Sequence, residues 1–244
     1  KAKPAPDPFI KRKLEAENDS NKKQKVEQED EAIPPELRVK NSTIPLWNTP
    51  YPAQLELKSK AIREILVNLG LKISKDNRYI EDWAKEQESK NDGLICKLLP
   101  ILSAEVTEGY RNKCEFTVGR RPDTEEIVIG FRLSSYAAGS TAVGPIDDLC
   151  HIPQSMKTAV KLFQEFIRES KLPPFDPVHH QGYWRQVLAR TSRLDHLMLV
   201  IAIHPQELNE EELEGVKKEI REFFEEGKGK EAKVTSLYLQ TMSR

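Results

Sequence analysis

The stretch Tyr110-Arg-Asn-Lys-Cys-Glu-Phe-Thr-Val-Gly119 decides the fold, because its residues alternate as in a half-buried β-strand. One side of such a strand carries Tyr110, Cys114, Phe116 and Val118. The other side carries Arg111, Lys113, Glu115 and Thr117. An apolar face that builds a core is thus backed by a face with two cations and one carboxylate. Such a face suits phosphate groups, although an ordinary solvated sheet face shows the same pattern.

Two further segments extend this sheet and add positive charge. Ile127, Ile129 and Phe131 repeat the apolar alternation, so this segment is predicted to form a hairpin with the first strand and to place Arg132 on its polar side. A second basic cluster, Gly182–Arg193, carries Arg185, Arg190 and Arg193 beside Tyr183 and Trp184. The apolar run Leu197–Ile203 follows it and reads as another strand.

Seven short motifs, taken in order, carry a resemblance to a known family. They are Pro50-Tyr51-x-x-Gln54-Leu55-x-x-Lys58, Tyr110-Arg-Asn-Lys-Cys-Glu-Phe116, Gly130-x-Arg132, His151-Ile-Pro153, Phe163-Gln-Glu-Phe-Ile-Arg168, Arg190-Thr-Ser-Arg193 and His204-Pro-Gln206. Over about residues 45–240 the chain resembles the central domain of the RNA 5-methyluridine methyltransferases, and within them the tRNA (uracil-5-)-methyltransferases.

The resemblance implies a parent enzyme that forms 5-methyluridine in the T-loop of tRNA, with this chain as its tRNA-binding central domain. In that family a downstream methyltransferase domain binds S-adenosylmethionine through a Gly-rich turn and holds the catalytic cysteine in a Ser-Cys-Asn-Pro context. An RNA-recognition domain precedes the central domain in the relatives most similar to this chain. This sequence has neither the glycine cluster nor a cysteine followed by Asn-Pro, so we predict no catalytic residue here and an inactive segment.

The same resemblance assigns candidate RNA contacts. Arg111, Lys113 and Arg132 are expected to hold the phosphate backbone, and Arg185, Arg190 and Arg193 to form a second strip. Tyr110 and Trp184 are candidate stacking partners for bases, with a core role as the alternative for Trp184. The competing hypothesis for the whole chain is a catalytically empty RNA-binding or scaffolding module, such as a short isoform.

Other residues with chemical potential have simpler interpretations. Cys114 lies on the apolar side of its strand and is predicted to be an inert core thiol, while the three cysteines are spaced too widely for a disulfide framework or an iron–sulfur cluster. The pair His179-His180 is interpreted as a surface loop, so no metal site is expected. Glu115 is interpreted as an ion-pair partner of Arg111 and Lys113 rather than a general base. No apolar run reaches membrane-spanning length.

Domain organisation follows from composition. Residues 1–32 are highly charged and poor in apolar side chains, which predicts a disordered linker before one folded domain of residues 33–244. Two basic groups in the linker, Lys11–Lys13 and Lys22–Lys25, have the spacing of a nuclear import signal, although charge runs usually only solvate a linker. The expected compartment is the nucleus or the cytoplasm. Because the net charge is only −1, any surface that binds nucleic acid has to be local.

The folded part is predicted to be an α+β domain, a mostly antiparallel sheet with helices packed on one face. The predicted helices are Pro50–Gly70, Arg78–Asn91 with Trp83 as its anchor, one from Pro153 with Met156, Val160, Phe163 and Ile167 inward, and one capped by Asn209 that exits at Gly227. Its inward residues are expected to be Leu213, Val216, Ile220 and Phe223. Further strands are predicted near Ser140–Ile146, at Tyr183–Arg193 and His196–His204, and at Val234–Gln240.

Overall fold

The computed structural model describes residues 33–133 and 141–242, so the predicted linker of residues 1–32 lies outside the described part. The described chain forms two compact units where the sequence predicts one folded domain. One unit comprises the described residues up to Ile44 and from Glu108 onward. The other is Pro45–Thr107.

The larger unit is built on a six-stranded sheet. Its strands are β1 (Lys113–Arg120), β2 (Ile127–Arg132), β3 (Val143–Gly144), β4 (Trp184–Thr191), β5 (Leu197–Ile203) and β6 (Val234–Thr241). They lie in the order β3-β2-β1-β4-β5-β6. Neighbouring strands are antiparallel except for β5 and β6, which are parallel. The predicted α+β class with a mostly antiparallel sheet is therefore confirmed.

Helices cover one face of this sheet, which we call the inner face. Helix α4 (Gln154–Glu169) and helix α5 (Glu210–Glu225) bury their apolar stripes against it. The register aligns the inner residues in rows across the strands, for instance Phe116, Val187, Ile201 and Leu239. The opposite, outer face of β1, β4, β5 and β6 is not covered by these helices, as the sequence predicts.

The ends of both helices match their sequence signals. Helix α4 follows Pro153, and its predicted inward residues Met156, Val160, Phe163 and Ile167 are all buried. Helix α5 begins with a capping box, in which the Asn209 side chain accepts from the Glu212 amide and the Glu212 carboxylate accepts from the Asn209 amide. At its far end Phe224 is buried and Phe223 only partly buried, so the inward position is shifted by one residue from the prediction.

Two glycines, one on β1 and one on β2, allow β3 to lie close to these strands. A Cβ on Gly130 would collide with the carbonyl of Gly144, and a Cβ on Gly119 would meet the Val143 side chain. At Gly130 only a residue without a side chain fits, because the close neighbour is backbone. The strand predicted near Ser140–Ile146 is correspondingly short, since only Val143–Gly144 pairs with β2 and Ser140 lies outside the described residues.

Helix α1 (Pro35–Thr43), which the sequence pattern does not predict, packs on β3 through the buried Val39. The smaller unit contains helix α2 (Tyr51–Asp76) and helix α3 (Glu81–Lys90). Helix α2 does not end at Gly70, because this glycine is buried against Ile95 inside the helix and leaves room for that neighbour. The predicted anchor Trp83 is 48% exposed, so the prediction for this residue is wrong.

Candidate nucleic-acid interface

The outer face of the sheet is arranged in three rows that the strand register fixes. The first row is Lys113, Arg190, Met198 and Ser236. The second row is Glu115, Leu188, Val200 and Tyr238. The third row is Thr117, Gln186, Ala202 and Gln240. Charge is therefore confined to β1 and β4, while the outer residues of β5 and β6 are uncharged.

These rows contain one carboxylate, Glu115, and both of its oxygens accept hydrogen bonds. Glu115 accepts a hydrogen bond from Lys113 Nζ at 2.7 Å and a second one from Gln186 Nε2 at 3.3 Å. The bond from Lys113 lowers the pKa of Glu115, and the Lys113 charge acts in the same direction. The predicted ion pair is thus present between Glu115 and Lys113. Both side chains are half-exposed, so this is a surface ion pair that directs the lysine along the strand.

Four of the predicted cations gather at the end where β1 begins and β4 finishes. Lys113 and Arg190 face each other across the two strands. Arg193 is exposed in the turn that leads into β5, a turn that also contains the acidic Asp195. Arg111 precedes the first strand residue by two positions. We call Arg111, Lys113, Arg190 and Arg193 the cationic end.

Arg111 departs from the predicted arrangement within this cluster. Its amide donates to the His151 carbonyl at 3.0 Å, outside the strand pairing. Its charge lies close enough to Cys114 and His151 to favour a lower pKa for each of them. Burial dominates at both residues, raising the pKa of the Cys114 thiol and lowering that of the His151 imidazole. The Arg111 side chain therefore lies beside His151 and the inner-face residue Cys114, and it does not belong to the outer rows.

The remaining two arginines lie elsewhere on the sheet. Arg132 is on β2, on the outer side, where it pairs with Val143 of β3. Arg185 sits near the opposite end of β4 from Arg190, with its guanidinium 5.1 Å from the centre of the Phe175 ring. Phe175 in turn stacks on His204 at 5.0 Å and an interplanar angle of 9°. The predicted second strip of arginines is thus split between the two ends of β4.

Trp184 is not a stacking partner for RNA, because it is a core residue with 1% of its surface exposed. Its ring meets Phe163 at 5.7 Å and Phe166 at 6.0 Å, both edge-on. Strict alternation from Gln186 would place Trp184 on the outer face. A β-bulge between Trp184 and Gln186 inserts one residue, Arg185, and turns the indole to the inner face.

Tyr110 keeps an accessible ring, although for a different reason than predicted. Strand β1 begins at Lys113, so the strand alternation does not reach Tyr110 and its side chain does not enter the core. The ring is 59% exposed and lies 6.3 Å from the imidazole of His151. Hydrogen bonds from Gly109 to Cys150 and from Arg111 to His151 hold the backbone on both sides of it. The ring is therefore accessible from solvent.

One of the helices on the other side of the sheet is strongly acidic. Helix α5 alone carries seven glutamates against three cations, and it packs on the inner face. The chain is almost neutral overall, yet its outer rows hold two cations and one paired carboxylate. This separation of charge leaves the outer face compatible with a polyanion.

Within residues 33–133 and 141–242, no group of three or more His, Cys, Asp or Glu side chains is arranged to hold a metal ion. His179 instead pairs with Asp176 at 2.6 Å in an exposed turn. Cys114 is buried with 2% exposure, as predicted, and Cys96 and Cys150 are exposed. In the same part of the chain, no helix has the length and apolarity to cross a membrane.

Sequence comparisons relate the chain to one group of proteins. No protein-family model matches it. It is 37% identical over 237 residues to human tRNA (uracil-5-)-methyltransferase homolog A, which covers 97% of this chain and 36% of that protein. Human homolog B is 36% identical over 209 residues, with 85% of this chain and 41% of that protein covered. The chain thus spans between about a third and two fifths of the length of these relatives.

Among solved structures, the tRNA (uracil-54, C5)-methyltransferase of Pyrococcus abyssi aligns with a TM-score of 0.36 and 17% identity, over 51% of this chain and 28% of that one. This likeness is too low to support an argument about the fold. The sequence matches show the family, since identity to human homolog A is 37% over 97% of this chain. By sequence the chain belongs to the family of the tRNA (uracil-5-)-methyltransferase homologs A and B.

Proposed function

We propose that this chain is the tRNA-binding central domain of a tRNA (uracil-5-)-methyltransferase, and that the outer sheet face and the cationic end hold the RNA backbone. The observation that carries this proposal is the charge separation across the sheet. The outer rows contain one carboxylate, Glu115, which forms an ion pair with Lys113. The glutamates of α5 lie on the opposite side of the sheet, away from the phosphates. The family relationship supplies the kind of RNA.

The residues have different roles in this proposal. Lys113, Arg190 and Arg193 contact phosphates at the cationic end, and Arg111 adds a charge beside them. Arg132 and Arg185 extend the contact to β2 and to the far end of β4. The exposed ring of Tyr110 stacks on a base. The substrate uridine lies in the T-loop and is flipped out of its stack before its carbon 5 is methylated.

S-adenosylmethionine supplies the methyl group in such a reaction, and the described residues of this chain do not fit it. The two connections that lead from a strand into a helix, residues 145–153 and 204–209, contain no glycine, whereas such a cofactor site needs a close backbone turn. The buried Cys114 has a raised pKa, which is the opposite of what a nucleophilic thiolate needs. We therefore assign cofactor and thiolate to a part of the enzyme outside this chain.

Salt-dependent binding of tRNA tests the proposal. For three or four neutralised phosphates, the plot of log affinity against log salt should have a slope of about −2 to −3. The double variant Lys113→Ala with Arg190→Ala should flatten the slope by roughly one unit or more. Lys217→Ala with Lys218→Ala removes the same charge from α5 and is the matched control, expected to leave the slope unchanged. An unchanged slope in a folded Lys113/Arg190 variant would show that this face is only solvated.

A further inference from the structure

An uncharged strip continues the outer face beyond the cations. It comprises Leu188, Met198, Val200, Ala202 and Tyr238, which the register places side by side on β4, β5 and β6. Leu188, Met198 and Val200 keep part of their surface accessible, and Tyr238 is 56% exposed, whereas Ala202 is buried. The remaining outer positions of β5 and β6 are Ser236 and Gln240, so the outer face of these two strands has no acidic side chain. We call these five residues the apolar strip.

The apolar strip shares its rows with the phosphate-binding candidates. The row that begins with Lys113 and Arg190 continues to Met198, and the row that begins with Glu115 ends at Tyr238. Three steps between neighbouring strands separate the two ends of a row, a distance of about 14 Å. A stacked strand of about four nucleotides spans that distance at roughly 3.4 Å per nucleotide. Cations and exposed ring are thus within reach of one short piece of RNA.

The chemistry of the two halves matches an unpaired RNA strand. Such a strand has negative charge along one edge and apolar π-faces along the other, and a sheet can bind it by placing cations under the phosphates and an aromatic ring under a base. Resting on the proposed function, we propose that unpaired bases of the bound RNA lie on the apolar strip, with one base stacked on Tyr238. Leu188 and Val200 form the apolar floor between that ring and the cations.

Replacing Tyr238 in the full chain tests this subsite. Tyr238→Ala should weaken binding of tRNA about tenfold, in the range found for one lost base stack, and should leave the salt slope unchanged because no charge is removed. Tyr238→Phe keeps the ring and should bind as the parent does. Tyr79→Ala, at a fully exposed tyrosine of the smaller unit, is the matched control and should have no effect.

A fully paired RNA duplex separates base stacking from other losses. It offers phosphates and no unpaired base, so Tyr238→Ala should not change its affinity. Equal weakening of tRNA and duplex binding would overturn the proposal. So would unchanged tRNA binding, and if the variant then reduced self-association in sedimentation, the strip would be a protein interface. The Lys113/Arg190 double variant tests the phosphate contacts separately, because only that variant changes the salt slope.

Discussion

Lys113 and Glu115 form a 2.7 Å ion pair two positions apart on one face of β1, so the cation opposite Arg190 is held by a carboxylate of its own strand. This arrangement has two opposing effects on a polyanion. It orients the lysine, and it cancels part of the lysine's charge. Which effect dominates can be measured, since the carboxylate can be removed without altering the strand.

Glu115→Gln should raise the affinity for tRNA. It should also make the slope of log affinity against log salt more negative, by up to about the value for one neutralised phosphate. The amide no longer neutralises Lys113, and its single oxygen can accept only one of the two hydrogen bonds that Oε1 and Oε2 of Glu115 accept from Lys113 and Gln186. Binding titrations at several salt concentrations give both quantities. Glu219→Gln, at an exposed position of α5, is the matched loss of one negative charge. Weaker binding by Glu115→Gln would mean that orientation of the lysine matters more than its charge.

Trp184→Ala should destabilise the larger unit by about 3–5 kcal/mol, because it opens a cavity beside Phe163 and Phe166. Trp184→Phe should cost less than half as much, since it keeps an aromatic ring and removes an indole Nε1 that has no hydrogen-bond partner among the described residues. Trp83→Ala, at a half-exposed tryptophan, should cost less than about 1 kcal/mol. Urea unfolding followed by circular dichroism measures all three free energies of unfolding. A loss below about 1 kcal/mol for Trp184→Ala would contradict the assignment of Trp184 to the core.

Two glycine substitutions should change the free energy of unfolding in opposite directions. Gly130→Ala drives a methyl group into the Gly144 carbonyl, so it should displace β3 and lower the free energy of unfolding. Gly215→Ala introduces a methyl group with nothing within 4 Å in the middle of α5, and it should stabilise by about 0.5–1 kcal/mol. Thermal unfolding of the two variants gives the comparison. A neutral Gly130→Ala would show that β3 does not lie as close to β2 as described.

Acid should break the ion pairs at the β1–β2 turn. Hydrogen bonds from Arg121 lower the pKa of Asp123 to about 2, from an ordinary value near 3.9. A depressed carboxylate pKa contributes stability that is complete above about pH 4 and is lost as the pH falls towards 2. A carboxyl-carbon NMR titration should show the low pKa, and Arg121→Gln should raise it. A midpoint near 4 in the parent protein would refute the contact.

Elements with strong periodicity and good end signals were predictable from the sequence, and α4 and α5 show why. Met156, Val160, Phe163 and Ile167 recur at helical spacing, and the pair of Asn209 and Glu212 caps the second helix. Gly70 misleads as an end signal because its reason for being glycine is contact with Ile95, a tertiary effect that sequence spacing does not show.

The candidate interface was predictable only as far as strand alternation holds. The alternation places Lys113 correctly on the outer face, where it lies opposite Arg190. It fails at Trp184, where one inserted residue reverses the face, and at Tyr110, which precedes the strand. A bulge leaves no signal in the local residue pattern here. The stack of Phe175 on His204 was missed for a related reason, since it joins two loops that are distant in sequence.

The glutamates of α5 and the cations of the outer rows lie on opposite sides of one sheet, which gives the unit an electric dipole directed through the sheet. A polyanion that approaches α5 is repelled, and the same field favours orientations in which the outer face is turned towards the polyanion. Encounters are therefore oriented before any contact forms, which raises the association rate at low ionic strength even though the chain is nearly neutral. Added salt weakens this long-range steering more than the contacts at close range, because the Debye length is only about 8 Å in physiological salt.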